Sequence, residues 1–572
     1  MINSLKKDSI MKDKKIFKII FTFLFVLLII TQAFCQTDDL IQYFTAGLPV
    51  TLKDNPATTT VNEEGMVGVP ITCITKRPAD CKVVYHKLSS TTTTTKSMDT
   101  SDGFFHSYII KFASTNTATT FNYQIKALER NTPASSEVAS ATKQFKKFRC
   151  GDGVCDRYLE ESEFLCATDC RTGNSCENVV GAWTSRTEDS VKLASELGVR
   201  FNVNNAADIK IEPYPSSIIN LGSSYEIDHI VRLTNHLGRM RLSQDIDATT
   251  TVIPVEEGEI RSGYAPFTKK SPIPLPAVFS IEWEEVQCNG FDITNSAFTG
   301  CVRGYNGTTA TSHLENTYCL AHQELVSFLE SIKDYSLYPR VGYYLIDDRP
   351  EGFYLPALQK MYQIIKNYEY ENNKQNPVFV GCPGGVSSEK LIEHTSRNSV
   401  FTNTGLGSFD AFFIYVYPMK DAFVERNLAP EDATSHQLAN YKELFYTKLG
   451  YVPPFIGLYQ GFYDTTDTND NGLEDFGKPT LDLIKGQIDT YFSESASAIS
   501  FFNVKNRNTA LQNAFNNKEL RQWVADANQY AVQKYCPSCS LELSPLSATV
   551  NTSTIPKTIT ANFKPNGSFD SY

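Results

Sequence analysis

From Val179 onward the chain repeats one pattern eight times: a short apolar run, then an amphipathic stretch with apolar residues three and four apart. The pairs are VVGAWTS with DSVKLASELG, VRFNVNN with EIDHIVRLTNHL, GRMRLS with HQELVSFLESIKDY, and VGYYLID with LPALQKMYQIIKNY. They continue with NPVFVGC and SSEKLIEHT, DAFFIYVYP and HQLANYKELFYTKL, PPFIGLYQGFY and LDLIKGQIDTYFSE, and SAISFFNVKN and KELRQWVADANQYAVQ. Strand and helix in strict alternation build a parallel sheet covered by helices. Eight such units is the count of a closed (β/α)8, or TIM, barrel, whereas an open doubly wound sheet needs neither eight nor this regularity. The expected fold class is therefore α/β, with the barrel over residues 179–535.

One interruption breaks the period. Residues 244–318, which include DATTTVIPVEE, AVFSIEWEEVQC and CVRGYNGTTATSH, are strand-rich and read as a β insertion after the third strand. Rising from the C-terminal face of a barrel, such an insertion either walls the cleft or binds on its own. Within it Arg303, Gly304, Asn306, Gly307, Thr308, Ala310 and His313 resemble the RG-x-N-G-T hairpins of phage and microbial surface proteins. Upstream, residues 45–148 are rich in Thr and Val and alternate in CKVVYHKL, FFHSYIIKF and TTFNYQIKALE, which predicts a β-sandwich resembling fibronectin or immunoglobulin modules. Residues 150–176 hold CGDGVCDRYLEESEFLCATDC, too small a unit for an apolar core. Residues 540–572 read as a partial β module or tail.

The first residues place Lys6, Lys7, Lys12, Lys14 and Lys15 before an apolar run from Ile19 to Ile30, with Ala33 and Cys35 spaced like the end of a cleavage site. Residues 1–35 thus read as a secretory signal peptide, with Gln36 the first mature residue. The alternative, an uncleaved membrane anchor, has a run that is short for a bilayer. A secreted or extracellular-surface protein follows, with the β modules available for cell-surface association. In that setting the 14 cysteines imply disulfides rather than metal thiolates. Cys73 with Cys81 and Cys288 with Cys301 are spaced as local staples, and Cys536 with Cys539 as another. The net charge of -11 removes the electrostatic basis for nucleic-acid binding.

In a parallel barrel the C-terminal ends of the strands gather round one mouth, so those ends name the candidate site. The fourth strand breaks off into Asp347, Asp348, Arg349, Pro350 and Glu351 just before a helix. The other ends present Trp183, Asn204, Tyr415, Tyr417, Tyr459, Gln460 and Asn503, with Asp464 a few residues into the seventh loop. Rings, amides and carboxylates without a cationic cluster suit a neutral polyhydroxylated substrate, a carbohydrate or glycoconjugate. Asp347, Asp348 and Asp464 are the catalytic candidates and the remainder, with Arg349, the substrate-binding ones. Other readings stay open: Asp347 and Asp348 also suit capping the next helix or anchoring Arg349, Tyr415 and Tyr417 suit barrel packing, and Trp183 suits an ordinary core position. His313 and His322 lack metal-ligand spacing, which assigns them to a surface role rather than to zinc.

These strand ends resemble the glycoside-hydrolase-type (βα)8 family whose fourth strand reads W-x-x-x-D-E-P-E and whose later strands end in Y-P and Q-x-F. Here the order is Tyr343 to Glu351, then Tyr417-Pro418, then Gln460-Gly461-Phe462. The resemblance implies that Asp348 stands where the family carries its acid/base glutamate, with Asp347 supporting it. Asp348 is one methylene shorter than glutamate, and Gln460 stands where a second carboxylate is needed. A non-catalytic surface or adhesion protein with a degenerate barrel is the alternative. Two acidic segments also have oxygen-ligand character suited to Ca²⁺. One is Asp152, Asp156, Glu160, Glu163 and Asp169 in the Cys-rich unit, which distantly resembles Notch-type calcium modules. The other is Asp467, Asn469, Asn471 and Asp475 around Gly472, which resembles D-x-D/N-x-D/N-G loops. A disulfide linker with solvated acids and an Asx-rich turn are their respective alternatives.

Overall fold

The computed structural model describes residues 40–52, 66–100, 102–113, 119–132, 136–148, 179–184, 188–204, 224–225, 227–233, 240–257, 275–321, 325–327, 329–330, 342–344, 355–374, 376–383, 409–419, 428–464, 476–503, 511–514 and 516–535. Among these no helix is long and apolar enough to cross a membrane.

Ten strands come first: β1 (Ile41–Ala46), β2 (Val50–Thr51), β3 (Val67–Thr75), β4 (Ala79–Lys87), β5 (Thr94–Ser97), β6 (Asp99–Thr100), β7 (Phe105–Phe112), β8 (Thr119–Glu129), β9 (Val138–Ala139) and β10 (Lys143–Lys147). They form two antiparallel sheets, β1-β3-β7-β6 with β2 on β3, and β10-β8-β4-β5 with β9 on β8. Alternate residues of β3, Val69, Ile71 and Cys73, share one apolar cluster with Val83, Phe121, Tyr123 and Ile125 of the other sheet. The turn between β3 and β4 passes from one sheet to the other, so Cys73 and Cys81 approach across the core instead of along a hairpin. They are hydrogen-bonded thiols there, not the expected staple. The bond from Cys73, helped by His106 and opposed by burial, holds Cys81 at about 6.

Eight parallel strands then close on themselves: β11 (Val180–Thr184), β12 (Phe201–Asn204), β13 (Asp228–Arg232), β20 (Gly342–Tyr344), β21 (Val378–Pro383), β22 (Ala411–Tyr415), β23 (Phe455–Tyr459) and β25 (Ala498–Asn503), the last pairing with the first. Helices α1 (Glu188–Glu196), α2 (Leu355–Glu371), α3 (Pro430–Leu449), α4 (Leu481–Ser493) and α5 (Lys518–Tyr535) follow the first, fourth, sixth, seventh and eighth of these strands. The period of two sorts each strand. Trp183, Phe201, Val203, Ile230, Phe379, Phe413, Ile456 and Leu458 fill the lumen, whereas Ala182, Val231, Phe412, Ile414, Ile499 and Phe501 meet the helices. Gly181 is required where a Cβ would lie 2.1 Å from the Phe201 ring. Gly342 opens the fourth strand at φ +142, with Pro377 O only 2.3 Å from the place of a Cβ.

The third strand is not the one expected. Asp228–Arg232 lies inside EIDHIVRLTNHL, read above as a helix, and GRMRLS instead supplies the first strand of the insertion. Ile230 faces the lumen and Val231 the helix layer. The strand D-H-I-V-R is buried on both faces with only two adjacent apolar residues, so it shows no period of two that would separate it from a helix. The insertion itself is a closed six-stranded antiparallel barrel in the order β14 (Met240–Leu242), β15 (Ile253–Glu257), β18 (Ala297–Val302), β17 (Glu284–Asp292), β16 (Ala277–Ile281), β19 (Tyr318–Leu320). It starts at Met240, before Gln244, because β14 pairs with both β15 and β19. Cys288 and Cys301 lie opposite each other on β17 and β18 and are joined, S–S 2.05 Å.

Helix α2 joins these parts. Its apolar side, Leu358, Met361, Ile364 and Ile365, packs on the large barrel, as an amphipathic pattern requires. The polar side is equally buried: Lys360 and Gln363 are 0% exposed and Glu369 1%. Gln363 donates to Thr72 of β3 and Asn367 accepts from Lys143 of β10. Lys366 meets Asp410 at 3.1 Å, and Lys360 meets Glu285 of β17 at 3.3 Å. Glu285 also accepts from Gln42 of β1, so one carboxylate ties the N-terminal sheets, the insertion and α2. Removing one member of a buried pair strands the other charge, typically at a cost of about 3 kcal/mol. Lys360→Met is expected to lower the denaturation midpoint markedly, and Lys360→Met with Glu285→Gln to lower it less than Lys360→Met alone, read by urea unfolding.

Candidate functional site at the barrel mouth

At the C-terminal ends of the strands the lumen closes in aromatic rings. Trp183, next to the end of β11, lies edge-on to Tyr415 at 5.8 Å and to Phe413 at 5.8 Å. Tyr415 is 3% exposed and Tyr417, two residues on, packs half-buried against the same lumen cluster. Tyr417 meets Phe462 at 4.9 Å and Phe476 at 5.6 Å, both edge-on, as the ring quadrupole prefers. Trp183, Tyr415 and Tyr417, expected at the mouth, thus lie together there, joined by Phe462, which was named above only within the Q-x-F motif, and by Phe476, which was not expected. A signal was present: Phe462 follows the seventh strand at the lumen parity of Leu458 and Gln460.

Two expected binding residues serve other purposes. Tyr459 takes the parity opposite to Leu458 and points into the helix layer, where it stacks on Phe501 and donates to Asn528 Oδ1 at 2.8 Å. It is 0% exposed and is not a residue of the mouth. Gln460 is also 0% exposed, and its amide is consumed within the protein. Its Nε2 donates to Phe462 O (3.1 Å) and Gly477 O (3.0 Å), its Oε1 accepts from Met419 N (3.0 Å), and its backbone N donates to Gln487 Oε1 (3.1 Å). Gln487 in turn donates to Val416 O at 3.0 Å and Thr434 Oγ1 at 3.2 Å. The polar Gln487 sits in the apolar face Ile484, Ile488 and Tyr491 of α4, a sequence signal for such a buried tie. Gln460 and Gln487 thus fix the ends of β22 and β23.

Beyond Gln460 the loops after the seventh and eighth strands pair as a two-stranded ribbon, β24 (Phe462–Asp464) with β26 (Leu511–Asn513). Asp464 belongs to this ribbon, half-buried, with its N–H donating to Phe476 O at 2.8 Å. The chain leaves at Asp464 and returns beside it at Phe476. Asn204 and Asn503 end their strands in register with Thr184. Asp347, Asp348 and Arg349 lie outside the described residues, as do Asp152, Asp156, Asp169, Asp467, Asn469, Asn471 and Asp475. Among the described residues no group of three His, Cys, Asp or Glu is placed to hold a metal.

No protein-family model and no curated protein matches this sequence. Solved structures do. A GH2 β-galacturonidase from Eisenbergiella tayi aligns with 86% of this chain and 71% of its own, at 10% identity and a TM-score of 0.35. A β-glucuronidase from Bifidobacterium dentium aligns with 86% of this chain and 66% of its own, at 10% identity and TM-score 0.31. A β-glucuronidase from Ruminococcus gnavus aligns over 82% and 61%, at 8% identity and TM-score 0.28. This chain accordingly spans about two thirds of the length of these proteins.

The role of Gln460 is open to test. Gln460→Leu leaves Met419 N–H and the carbonyls of Phe462 and Gly477 without their amide partner, and each stranded buried group costs about 1–3 kcal/mol. The variant is expected to unfold at clearly lower urea, whereas Gln460→Glu, which keeps the acceptor and loses the donor, is expected to fall between.

Proposed function

We propose that this chain is a secreted, glycoside-hydrolase-like protein that binds or cleaves a polysaccharide or glycoconjugate at the mouth of its eight-stranded barrel. The observation that carries the proposal is Tyr417, half-buried and seated on the buried rings of Trp183 and Tyr415 at the C-terminal strand ends. Sugar rings present C–H faces that stack on such side chains, and this end is where parallel barrels hold their substrates. In this reading the whole of residues 179–535 is a (βα)8 barrel, preceded by an Ig-like sandwich formed from the two N-terminal sheets. Asp348 is the proton donor or base and Asp347 its support, with Arg349 pairing a neighbouring carboxylate and holding it ionised. Asp464, on the ribbon at the rim, is the candidate for a second carboxylate across the sugar.

Binding without turnover is the second reading, and one observation favours it. Gln460 is spent on Met419, Phe462 and Gly477, so it neither supplies a carboxylate nor frees an amide for substrate. A glycan array combined with a panel of chromogenic glycosides separates the two. Tyr417→Ala is expected to reduce glycan retention at least tenfold, about 1.4 kcal/mol. Release of sugar that disappears in Asp348→Asn supports an enzyme; retention without release supports the adhesion reading. No retention on any glycan and no release would overturn both. Calcium is proposed at the Asp152 and Asp467 segments, and at the second of these it would hold the rim near Asp464. The expected outcome is a melting temperature that rises with millimolar Ca²⁺ and falls with chelator; indifference to both would remove the metal from the proposal.

A further inference from the structure

The insertion carries a buried charge network that the barrel mouth does not use. Arg303 donates to both oxygens of Glu284, from Nε at 2.6 Å and Nη2 at 2.7 Å, and also to the carbonyls of Asp247, Thr250 and Thr311. Glu284 accepts in addition from Gly304 N at 2.9 Å and Thr311 N at 3.1 Å. His313 is 2% exposed, and it lies between two carboxylates. Its Nδ1 is 2.9 Å from Glu282 Oε2 and its Nε2 2.9 Å from Glu284 Oε2. A neutral imidazole has one N–H, so only the imidazolium can donate to both. Glu284 is fixed as an anion: burial opposes its charge, but His313, Arg303 and the two backbone N–H groups hold it down at about 2.

The neighbouring residues of this turn and strand face other parts of the molecule. Trp283 stacks on Phe105 at 5.8 Å and donates to Asp102 at 2.8 Å, and Glu285 reaches Lys360 and Gln42. The hairpin that Arg303 and His313 bracket makes the same contacts from its tip. Asn306 donates to Glu285 at 2.7 Å, and Thr309 N donates to Lys76 O at 2.9 Å. The clamp at His313 and the docking of the insertion on its neighbours are thus built on one four-residue segment, Glu282 to Glu285.

We propose that this docking is gated by a proton: imidazolium His313 clamps the hairpin of residues 303–313 to Glu282 and Glu284, and loss of that proton loosens the hairpin and releases the insertion from the N-terminal sheets and from α2. Without the proton one carboxylate faces a nitrogen lone pair at hydrogen-bond distance. The groups that face His313 are Glu282 and Glu284 with Thr311 Oγ1 at 3.3 Å, and the paired segment at Ile246 adds only backbone, with Asp245 turned to Glu315 N and Asp247 Oδ1 to Thr249. Arg303 is the nearest cation, held on the far side of Glu284. Burial alone lowers the His313 pKa, and Glu282 and Glu284 more than reverse it, so it lies above the ordinary 6.5. A folded value raised above the unfolded one gives stability that is complete below about pH 6.5 and is lost as pH rises through the folded value.

The test uses the full chain. The His313 imidazole is titrated by NMR, assigned by its loss in His313→Gln. Trp283 emission, taken as the difference from a Trp283→Phe variant, is followed over the same range, about pH 5.5 to 9.5. The expected result is a His313 midpoint above 6.5 that falls by about one unit in Glu282→Gln, with Trp283 emission shifting to the red at the same midpoint. In His313→Gln the emission is expected to be independent of pH. A His313 midpoint at or below 6.5, an emission that does not follow it, or a transition that persists in His313→Gln would each overturn the proposal. Because the NMR titration is made on the unaltered chain, a variant that fails to fold does not leave the question open.

Discussion

Lys360 has no contact with water, and the arrangement of the whole molecule depends on that fact. An ammonium taken out of water is tolerated only beside a counter-charge, and burial already pushes its pKa down. The counter-charge, Glu285, belongs to a different part of the chain, and it is also bound by Gln42 and Asn306. α2 can therefore keep its polar side buried only while the insertion and the N-terminal sheets are both in place. An outer helix of a parallel barrel ordinarily shows that side to solvent. Here Gln363, Asn367 and Lys366 are partnered by Thr72, Lys143 and Asp410, so a solvated face has become an internal joint. Buried pairs of this kind contribute more to specifying one geometry than to net stability, and the geometry specified is that of the helix following the fourth strand.

The segment Glu282 to Glu285 shows how one short stretch can serve two masters. Its even-numbered residues turn inward to the hairpin and its odd-numbered ones turn outward to Phe105, Gln42 and Lys360. Glu282 takes a left-handed conformation, φ 51, at the point where the chain turns into β17. Composition would rank Glu-Trp-Glu-Glu as an exposed acidic patch. What makes it interior is Arg303 and His313, which arrive from about twenty to thirty residues further along the chain. The resemblance of this hairpin to surface modules was carried by residues that in this protein either close its fold or fasten it to its neighbours.

The five described helices and seven of the eight strand positions were legible because they rest on local period alone. The third was not, since Ile230 and Val231 are buried on opposite faces and the run lacks any period of two. Cys288 and Cys301 were legible because they are cross-strand neighbours in one hairpin, whereas Cys73 and Cys81 look similar in spacing but sit on different sheets. His313 was assigned to the surface, for a histidine shows in sequence neither its burial nor the carboxylates that come to it. The site was legible as a set of strand ends but not as a set of roles: strand parity sends Tyr459 to the helices, and a hydrogen-bond network takes Gln460.

That parity also limits what the rigid part of the mouth can do. At the strand ends whose side chains are described, the lumen receives Trp183, Val203, Tyr415, Leu458 and Gln460, none of which can exchange a proton near neutral pH. The barrel thus offers a preorganised platform, held by Gln460 and Gln487, and no acid or base of its own at these positions. Carboxylates for any chemistry have to come from the loops, from the connection after the fourth strand or from the ribbon that carries Asp464. A platform on packed strands with reactive groups on connections is the division of labour that lets a barrel change or lose its chemistry while keeping its ligand, since a substitution in a loop leaves the lumen packing undisturbed. In sequence the aspartate pair precedes α2, the helix whose polar side is tied to the N-terminal sheets, the insertion and Asp410.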